Sequence, residues 1–309
     1  MFDPARLSCA CSQRGERSPS RAPGWLSAVA IAPFQPEGYE RPNGRVGIRN
    51  HMLVLPSVVC ATRVARDIAA ATDALAITHQ HGCLHVGDDL RHARDSLEGV
   101  GLNPNIGAVL LVGLGCETIA GESLAQAISS RRVNVDYVGI QRAGGTTAAI
   151  ARGREIVEAR LAELHREASG IFEPGRLLVG LDRSDDELVE PLVREMELRG
   201  AAVAVVDGAR GGAAHLRLAA LGAQLIVSLC GGHEAPLGFA GCPVVAVARD
   251  RETYTMLRDD FDLGAYGLPV GEQAALVADR VGDVCRGRLT ASERRGSVDF
   301  VLDRLSVTM

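Results

Sequence analysis

The residues best suited to chemistry are concentrated between positions 78 and 89, where the sequence reads THQHGCLHVGDD. This stretch combines imidazole, thiol and carboxylate groups, which bind divalent metal ions and transfer protons. Taken alone, the stretch leaves two interpretations open. It is either a metal-binding or proton-transferring site, or a polar turn between two core elements.

Similar residues follow neighbouring apolar segments. The runs at 52–58, 74–78, 107–113 and 135–140 are continuous in Val, Ile, Leu and Ala, which predicts parallel strands buried on both faces. Because ligands bind at the carboxyl ends of such strands, the residues that follow them form one candidate site. In chain order these residues are Cys60, then His79, His81 and Cys83, then Cys116 and Glu117, then Gln141 with Gly144 and Gly145.

These residue types suit Fe(II), Mn(II) or Zn(II), although no pair has CxxC or HExxH spacing. Cys60 could equally be a small buried hydrophobe. Of the histidines we favour His79 as ligand or base, because it is nearer the strand end than His81. His85 and His92 are predicted to be solvated.

Glycine-rich turns and arginines supply possible anion-binding groups. GLGCETIAGESL and QRAGGTT each open a helix whose N-terminal N–H groups could hold a carboxylate or phosphate, and plain β-to-α turns are the alternative. Arg49 and Asn50 adjoin the first strand and could hold a carboxylate, whereas Arg41 and Arg45 could be solvated turn residues.

The elements that position these groups alternate in βαβα order. Four further apolar runs, at 176–181, 201–207, 224–230 and 243–248, continue the pattern, and a long helix at 146–169 ends before Pro174 and Gly175. We predict an α/β fold with two Rossmann-like lobes and mainly parallel sheets. The predicted division is a disordered leader at 1–35, a first lobe at 36–172 that carries the site, and a second lobe at 173–309.

Composition narrows the classes of partner. The 309 residues carry a formal net charge of −5 and contain no basic run with interleaved aromatics, so we expect no nucleic-acid partner. No apolar run reaches the ~20 residues that a membrane span needs. The eight cysteines are irregularly spaced, which favours free thiols in a reducing cytoplasm. We expect a cytoplasmic homo-oligomer that acts on a small molecule.

Several motifs in the same order carry a family resemblance. GYERPNGRVGIRNHMLVLPSVVC, THQHGCLHVGDD, NPNIGAVLLVGLGCE and IQRAGGT, followed later by CPVVAVARDRETYTMLRDDFDLGAYG, resemble the altronate/galactarate dehydratase (UxaA-like) family. The large subunit of sulfolactate sulfo-lyase belongs to the same family. The chain departs from it after LLVGL, where an expected Glu-Cys-Gly-Gly-Ser-Asp type of motif and part of the central region are missing, so we expect a shortened member.

The resemblance implies an Fe(2+)- or Mn(2+)-dependent hydro-lyase that removes water from a sugar acid such as altronate or galactarate, giving a 2-keto-3-deoxy acid. The alternatives are a carbon–sulfur lyase of the sulfolactate type and a non-catalytic relative that binds a hydroxy acid or acts as a scaffold. It also implies a small SAF-type domain, which could be a separate subunit. The implied roles are metal binding by Cys83 and Cys116, catalysis by His79, His81 and Glu117, and substrate binding by Arg49, Asn50, Gln141, Gly144 and Gly145.

Overall fold

Two parallel β-sheets with helices against their faces organise the chain. The structure, a computed structural model, describes residues 31–83, 85–132 and 134–305. Residues 1–30 of the predicted leader therefore lie outside the described residues. The α/β class and the mainly parallel sheets predicted from the sequence are confirmed.

The first sheet has the strand order β4-β3-β5-β6, and all its neighbouring strands are parallel. Every residue of the central strand β5 is buried, which explains why its sequence is a continuous apolar run. The strands are β3 (His51–Pro56), β4 (Leu75–Ala76), β5 (Ile106–Gly113) and β6 (Val135–Gly139).

The second sheet has the order β12-β11-β10-β8-β9 and is also parallel throughout. Its core strands β10 and β11 are buried along their whole length. The strands are β8 (Leu178–Leu181), β9 (Ala202–Val205), β10 (Leu225–Cys230), β11 (Val244–Ala248) and β12 (Leu263–Gly264).

Helices follow most strands and cover the sheets. Helix α9 begins with a capping box, in which the Thr290 hydroxyl accepts from the Glu293 N–H and the Glu293 carboxylate accepts from the Thr290 N–H. The helices are α1 (Thr62–Ala69), α2 (Gly87–Gly101), α3 (Gly121–Ser129), α4 (Thr146–Leu164), α5 (Val189–Leu198), α6 (Gly211–Leu221), α7 (Arg251–Met256), α8 (Val270–Cys285) and α9 (Ala291–Arg295).

A small antiparallel sheet, of order β2-β1-β7, was not predicted from the sequence. Its strands are β1 (Glu37–Glu40), β2 (Val46–Gly47) and β7 (Gly170–Ile171). They are only two to four residues long, too short to show the alternation that identifies a strand. The same sheet shortens the long helix, because the segment after Leu164 turns to pair with β1 and does not continue helical to Ser169.

The two parallel sheets share a hydrophobic core, in which α2 packs on α6. Gly99 of α2 lies so close to Ala220 that a Cβ on Gly99 would be 2.7 Å from the Ala220 Cβ. Phe34, assigned to the leader by the sequence, is buried among residues of the second sheet and its helices. The boundary between residues 172 and 173 stays a prediction.

No helix among the described residues has the length and apolarity to cross a membrane.

Candidate active site at the edge of the first sheet

The loops that follow β3, β4, β5 and β6 meet at the carboxyl edge of the first sheet and are tied together by hydrogen bonds. The Val59 N–H donates to the His81 carbonyl at 2.7 Å, and the Thr118 hydroxyl donates to the Cys83 carbonyl at 3.3 Å. The Gln141 N–H donates to the Leu114 carbonyl at 3.1 Å. The sequence prediction that residues after these strands converge therefore agrees with the geometry.

Three thiols at this edge are exposed, namely those of Cys60, Cys83 and Cys116. The interpretation of Cys60 as a buried hydrophobe is wrong, because the turn at Val59–Ala61 directs residues 59 and 60 to the surface. The other described cysteines are buried, and burial raises the pKa of Cys230 to about 11 and that of Cys285 to about 12. Those thiols belong to the core of the second sheet and its helices.

His79 is buried, and both of its ring nitrogens already have partners. Nε2 lies 2.8 Å from the Pro56 carbonyl, to which it must donate, and Nδ1 accepts from the His81 N–H at 3.2 Å. Burial lowers its pKa, so the ring is neutral at pH 7. This arrangement leaves His79 no free nitrogen, which argues against its predicted role as metal ligand or base.

His81 forms a chain with two residues that the sequence analysis did not connect to it. The Arg304 Nε–H donates to Nε2 of His85 at 3.0 Å, and Nδ1 of His85 contacts Nδ1 of His81. Because a neutral imidazole has one donor and one acceptor nitrogen, His85 must carry its proton on Nδ1 and His81 on Nε2. His81 is then a hydrogen-bond donor at its remaining nitrogen, which argues against its predicted role as base.

Burial, reinforced by the charges of His85, His79 and Arg304, lowers the pKa of His81 to about 4.

The prediction that His85 and His92 are solvated is wrong. His85 is buried, and the half-buried His92 lies with Nε2 2.8 Å from an oxygen of Asp303. The segment around Asp303 and Arg304 covers the histidine loop, and the sequence gives no signal for this contact because more than 200 positions separate the partners.

Glu117 acts as the cap of helix α3. One carboxylate oxygen accepts from the Gly121 N–H and from the Ser57 hydroxyl, both at 3.1 Å, and the other accepts from the Gly115 N–H. Burial raises the pKa of Glu117, but these hydrogen bonds outweigh it and the net pKa is lowered. Glu117 thus occupies the anion site that the sequence predicted at this helix, and its hydrogen bonds to Gly115, Gly121 and Ser57 argue against its predicted catalytic role.

The turn before helix α4 remains open to solvent. The N–H groups of Gly144 and Gly145, predicted to bind substrate, instead donate to the carbonyls of Gln141 and Ile140. The first helical bond runs from the Ala149 N–H to the Gly145 carbonyl, so the N–H groups of residues 146–148 have no acceptor within the helix. The anion-binding groups of this turn therefore lie one to four residues later than the sequence suggested. The Gln141 side chain is exposed beside Gly115.

Arg49 and Asn50 lie at the opposite edge of the sheet, immediately before β3. The Arg49 guanidinium pairs with Glu293 and donates to backbone carbonyls of residues 48, 284 and 288. Asn50 accepts from Arg41 and donates to Glu167. Their predicted role in binding substrate does not fit this position. Arg41, which could have been solvated, is buried.

The resemblance implies an Fe(2+) or Mn(2+) ion, which needs several His, Cys, Asp or Glu side chains around one point. Among residues 31–305, apart from Leu84 and Val133, no three His, Cys, Asp or Glu side chains are arranged to hold one metal ion. His79 and His81 have their Nδ1 atoms committed within the protein, and Glu117 caps a helix. The described residues therefore do not form a site for a single Fe(2+) or Mn(2+) ion.

The fold and the exposed edge define an α/β protein with a polar site at the carboxyl ends of parallel strands, the usual place for small-molecule chemistry in such sheets. Residues 38–165 match the family model described as D-galactarate dehydratase/altronate hydrolase, second domain. Residues 38–165 are therefore similar to the second domain of the altronate/galactarate dehydratase family, the family that the sequence motifs resemble.

Individual relatives agree with this assignment. Altronate dehydratase of Escherichia coli is 41% identical over 90 residues, which are 26% of this chain and 18% of the relative. Altronate dehydratase of Bacillus subtilis is 31% identical over 145 residues, 43% of this chain and 28% of the relative. The (2R)-sulfolactate sulfo-lyase subunit beta of Chromohalobacter salexigens is 46% identical over 81 residues, 25% and 20% of the two chains. The matches thus span less than a third of these relatives.

Proposed function

We propose that the carboxyl edge of the first sheet is the site of a hydro-lyase that removes water from a sugar acid of the altronate or galactarate type. The observation that carries the proposal is the meeting of exposed thiols and the open N-terminus of helix α4 at one edge of a family domain. A helix N-terminus suits a carboxylate.

Elimination of water from a hydroxy acid needs its carboxylate to be fixed while the α-proton and the β-hydroxyl leave. The N–H groups of residues 146–148 point outward from a helix of 19 residues, whose dipole favours negative charge at this end. Gln141 in the same loop can donate its amide to a hydroxyl of the substrate. Because the described residues do not form a single-ion site, the proposal assigns no step to Fe(2+) or Mn(2+).

The state of the histidines supports a second candidate function. His79, His81 and His85 are held in a hydrogen-bonded network under the segment that contains Arg304, and none of them is placed to take a proton. A chain of this kind would bind a hydroxy acid, or would require a further subunit to complete its site. One relative carries the name of a subunit, which agrees with a partner protein.

The two functions differ in whether the chain forms a product. Purified protein, prepared anaerobically with iron or manganese, would be incubated with aldonates, aldarates and sulfolactate, and 2-keto acid would be measured with semicarbazide. Formation of 2-keto acid from an aldonate or aldarate supports the hydro-lyase. A 2-keto acid from none of these compounds, although one binds in calorimetry, would replace it by the binding function.

A pair of variants tests the carboxylate site. Proline fits the first position of a helix and lacks an N–H, so Thr146→Pro removes one donor, whereas Thr146→Ala keeps it. Loss of one charge-assisted hydrogen bond, about 1–2 kcal/mol, predicts a five- to thirtyfold rise in KM or Kd for Thr146→Pro only. Equal effects of the two variants would contradict a carboxylate at this helix.

A further inference from the structure

A cavity lies at the amino edge of the first sheet, on the side away from the candidate active site. Its volume is about 320 Å³, and its walls come from β1 and the turn after it, the start of β5, and the segments that follow helices α2, α3 and α4. Cavities of this size hold small molecules. We propose that this cavity binds a small organic carboxylate with an apolar body, independently of the proposed function.

Arg41 places a buried positive charge in the wall of the cavity. Its Nε donates to the Pro104 carbonyl at 2.8 Å, and one terminal nitrogen donates to the Arg49 carbonyl at 3.0 Å. The other terminal nitrogen donates to Oδ1 of Asn50 at 2.8 Å and to the Glu167 carboxylate at 3.3 Å. Because a guanidinium has five N–H donors, these four bonds leave one donor of Arg41 without a partner among the described residues.

Arg132 brings a second guanidinium to the same cavity. Its terminal nitrogens donate, at 2.6 to 2.8 Å, to backbone carbonyls at the end of helix α2 and at the start of β5. Burial and, after it, the charge of Arg41 lower the pKa of Arg132 to about 10, and the opposing effect of Glu167 is smaller. The charge of Arg41 therefore outweighs that of Glu167 at Arg132, and this part of the cavity attracts an anion.

The lining of the cavity carries more positive than negative charge. Two carboxylates line it, those of Glu40 and Glu167. The Glu40 side chain is 70% exposed and pairs with Arg176 at 2.8 Å, which leaves Glu167 to oppose both Arg41 and Arg132. A bound carboxylate would supply one further negative charge and would accept charge-assisted hydrogen bonds.

The other walls of the cavity are largely apolar and restrict the kind of anion. They include the side chains of Tyr39, Pro42, Leu102, Pro104 and Ile106. Such walls remove water from a ligand without replacing its hydrogen bonds, which costs a phosphate dianion more than a carboxylate monoanion. A sugar acid needs hydrogen-bond partners along its whole length, so these walls suit a ligand other than the proposed substrate.

Isothermal titration calorimetry of the full-length protein tests the ligand class, at about pH 8, where phosphate is a dianion. The probes are benzoate and 3-methylbutanoate. Benzamide has the body of benzoate without its charge, acetate has the charge without the body, and inorganic phosphate has a second charge. At least one of the two probes should bind at one site per chain with a Kd of about 1 mM or tighter. Benzamide, acetate and phosphate should each bind at least about tenfold more weakly.

Two variants with matched controls test whether the ligand lies in this cavity. Arg132→Gln removes one positive charge, and Arg131→Gln changes the exposed neighbouring arginine, which does not line the cavity. Ala168→Trp fills the cavity from an exposed position, and Ala162→Trp places the same ring on an exposed position of helix α4. Arg132→Gln and Ala168→Trp should each weaken binding of the tighter probe about tenfold or more, and both controls should leave it within about twofold.

Circular dichroism would show that each variant is folded, and if Arg132→Gln does not fold, Ala168→Trp decides alone. Absence of binding by both probes would overturn the proposal. So would benzamide, acetate or phosphate binding as tightly as the tighter probe, or unchanged binding in folded Ala168→Trp. Binding that is lost in Thr146→Pro and kept in Ala168→Trp would place the carboxylate at helix α4 and reject the cavity. Formation of 2-keto acid is a separate result that bears on the hydro-lyase alone.

Discussion

Replacing Arg49 by methionine should destabilise the fold without acting on the site. The Arg49 side chain is 9% exposed and its Nε lies 2.7 Å from Oε1 of Glu293, whose side chain is 19% exposed. A second nitrogen donates to Oε2 of the same carboxylate at 3.0 Å, so the pair is bidentate. The ion pair joins the entry to β3 with helix α9, which lies against β11 of the second sheet.

The expected magnitude follows from what the substitution leaves behind. Methionine fills much of the volume of Arg49, but the partly buried Glu293 carboxylate loses its guanidinium partner, and the carbonyls of Val284 and Arg288 lose a donor. Breaking a buried ion pair on one side costs about 3–5 kcal/mol. Replacing both partners removes the uncompensated charge, so the Arg49→Met/Glu293→Met protein should lose less than the sum of the single losses.

The measurement is a double-mutant cycle from urea unfolding at pH 7, followed by circular dichroism. We expect a coupling energy of about 1–3 kcal/mol, since the two groups are in direct contact. Arg63→Met is the matched control, because the Arg63 side chain is 79% exposed in its pair with Asp67. It should leave the urea midpoint within experimental error of the unchanged chain.

A loss of less than about 1 kcal/mol for Arg49→Met would refute a structural role for this pair. A stable Arg49→Met protein that binds hydroxy acid at least tenfold more weakly would restore the substrate-binding role predicted from the sequence. Both quantities can be measured on one preparation, so the two roles cannot be confused.

Two further predictions concern ionisation. Burial lowers the pKa of His51 to about 4. The nearby Glu293 carboxylate raises this pKa, and the positive charges of Arg49 and Arg41 lower it. Between about pH 6.5 and pH 4, His51 is protonated in the unfolded chain and neutral in the folded chain. The free energy of unfolding is therefore highest above about pH 6.5, and it falls by about 2 kcal/mol from pH 7 to pH 5 because of His51. His51→Gln should reduce this fall in urea unfolding, and an unchanged fall would exclude His51 as its source. Glu117→Gln should cost about 1–3 kcal/mol in the same assay, since it weakens the bonds from Gly115, Gly121 and Ser57. Glu122→Gln on the same helix is the exposed control and should leave the midpoint unchanged, so equal midpoints for the two variants would contradict a capping role for Glu117.

The sequence predicted the sheet well because buried parallel strands leave a strong local pattern. Strand β5 was expected at 107–113 and lies at Ile106–Gly113, and β10 was expected at 224–230 and lies at Leu225–Cys230. The edge strand β4 is shorter than expected, since only Leu75 and Ala76 pair with β3. Helices α6 and α8 were not predicted individually, although both lie where the alternating pattern requires a helix.

The candidate site was predicted in its location and only partly in its members. The rule that strand ends converge brought the loops of Cys60, Cys83, Cys116 and Gln141 to one edge. The same rule does not say which side chains already have hydrogen-bond partners within the protein. Glu117 was therefore expected to be catalytic, although its carboxylate caps helix α3. Ser57 was missed because its hydroxyl gains meaning only from Glu117, which lies 60 positions further along the chain.

The α/β class, the buried parallel strands and the family resemblance of residues 38–165 could be read from the sequence, because periodicity, glycine turns and motifs are local properties of the chain. The tertiary structure alone decided the state of the polar groups. Arg304 reaches across 219 positions to set the tautomer of His85, and Glu293 reaches across 244 positions to hold Arg49. Hydrogen bonds between distant segments depend on how the two sheets pack, and no local pattern encodes them.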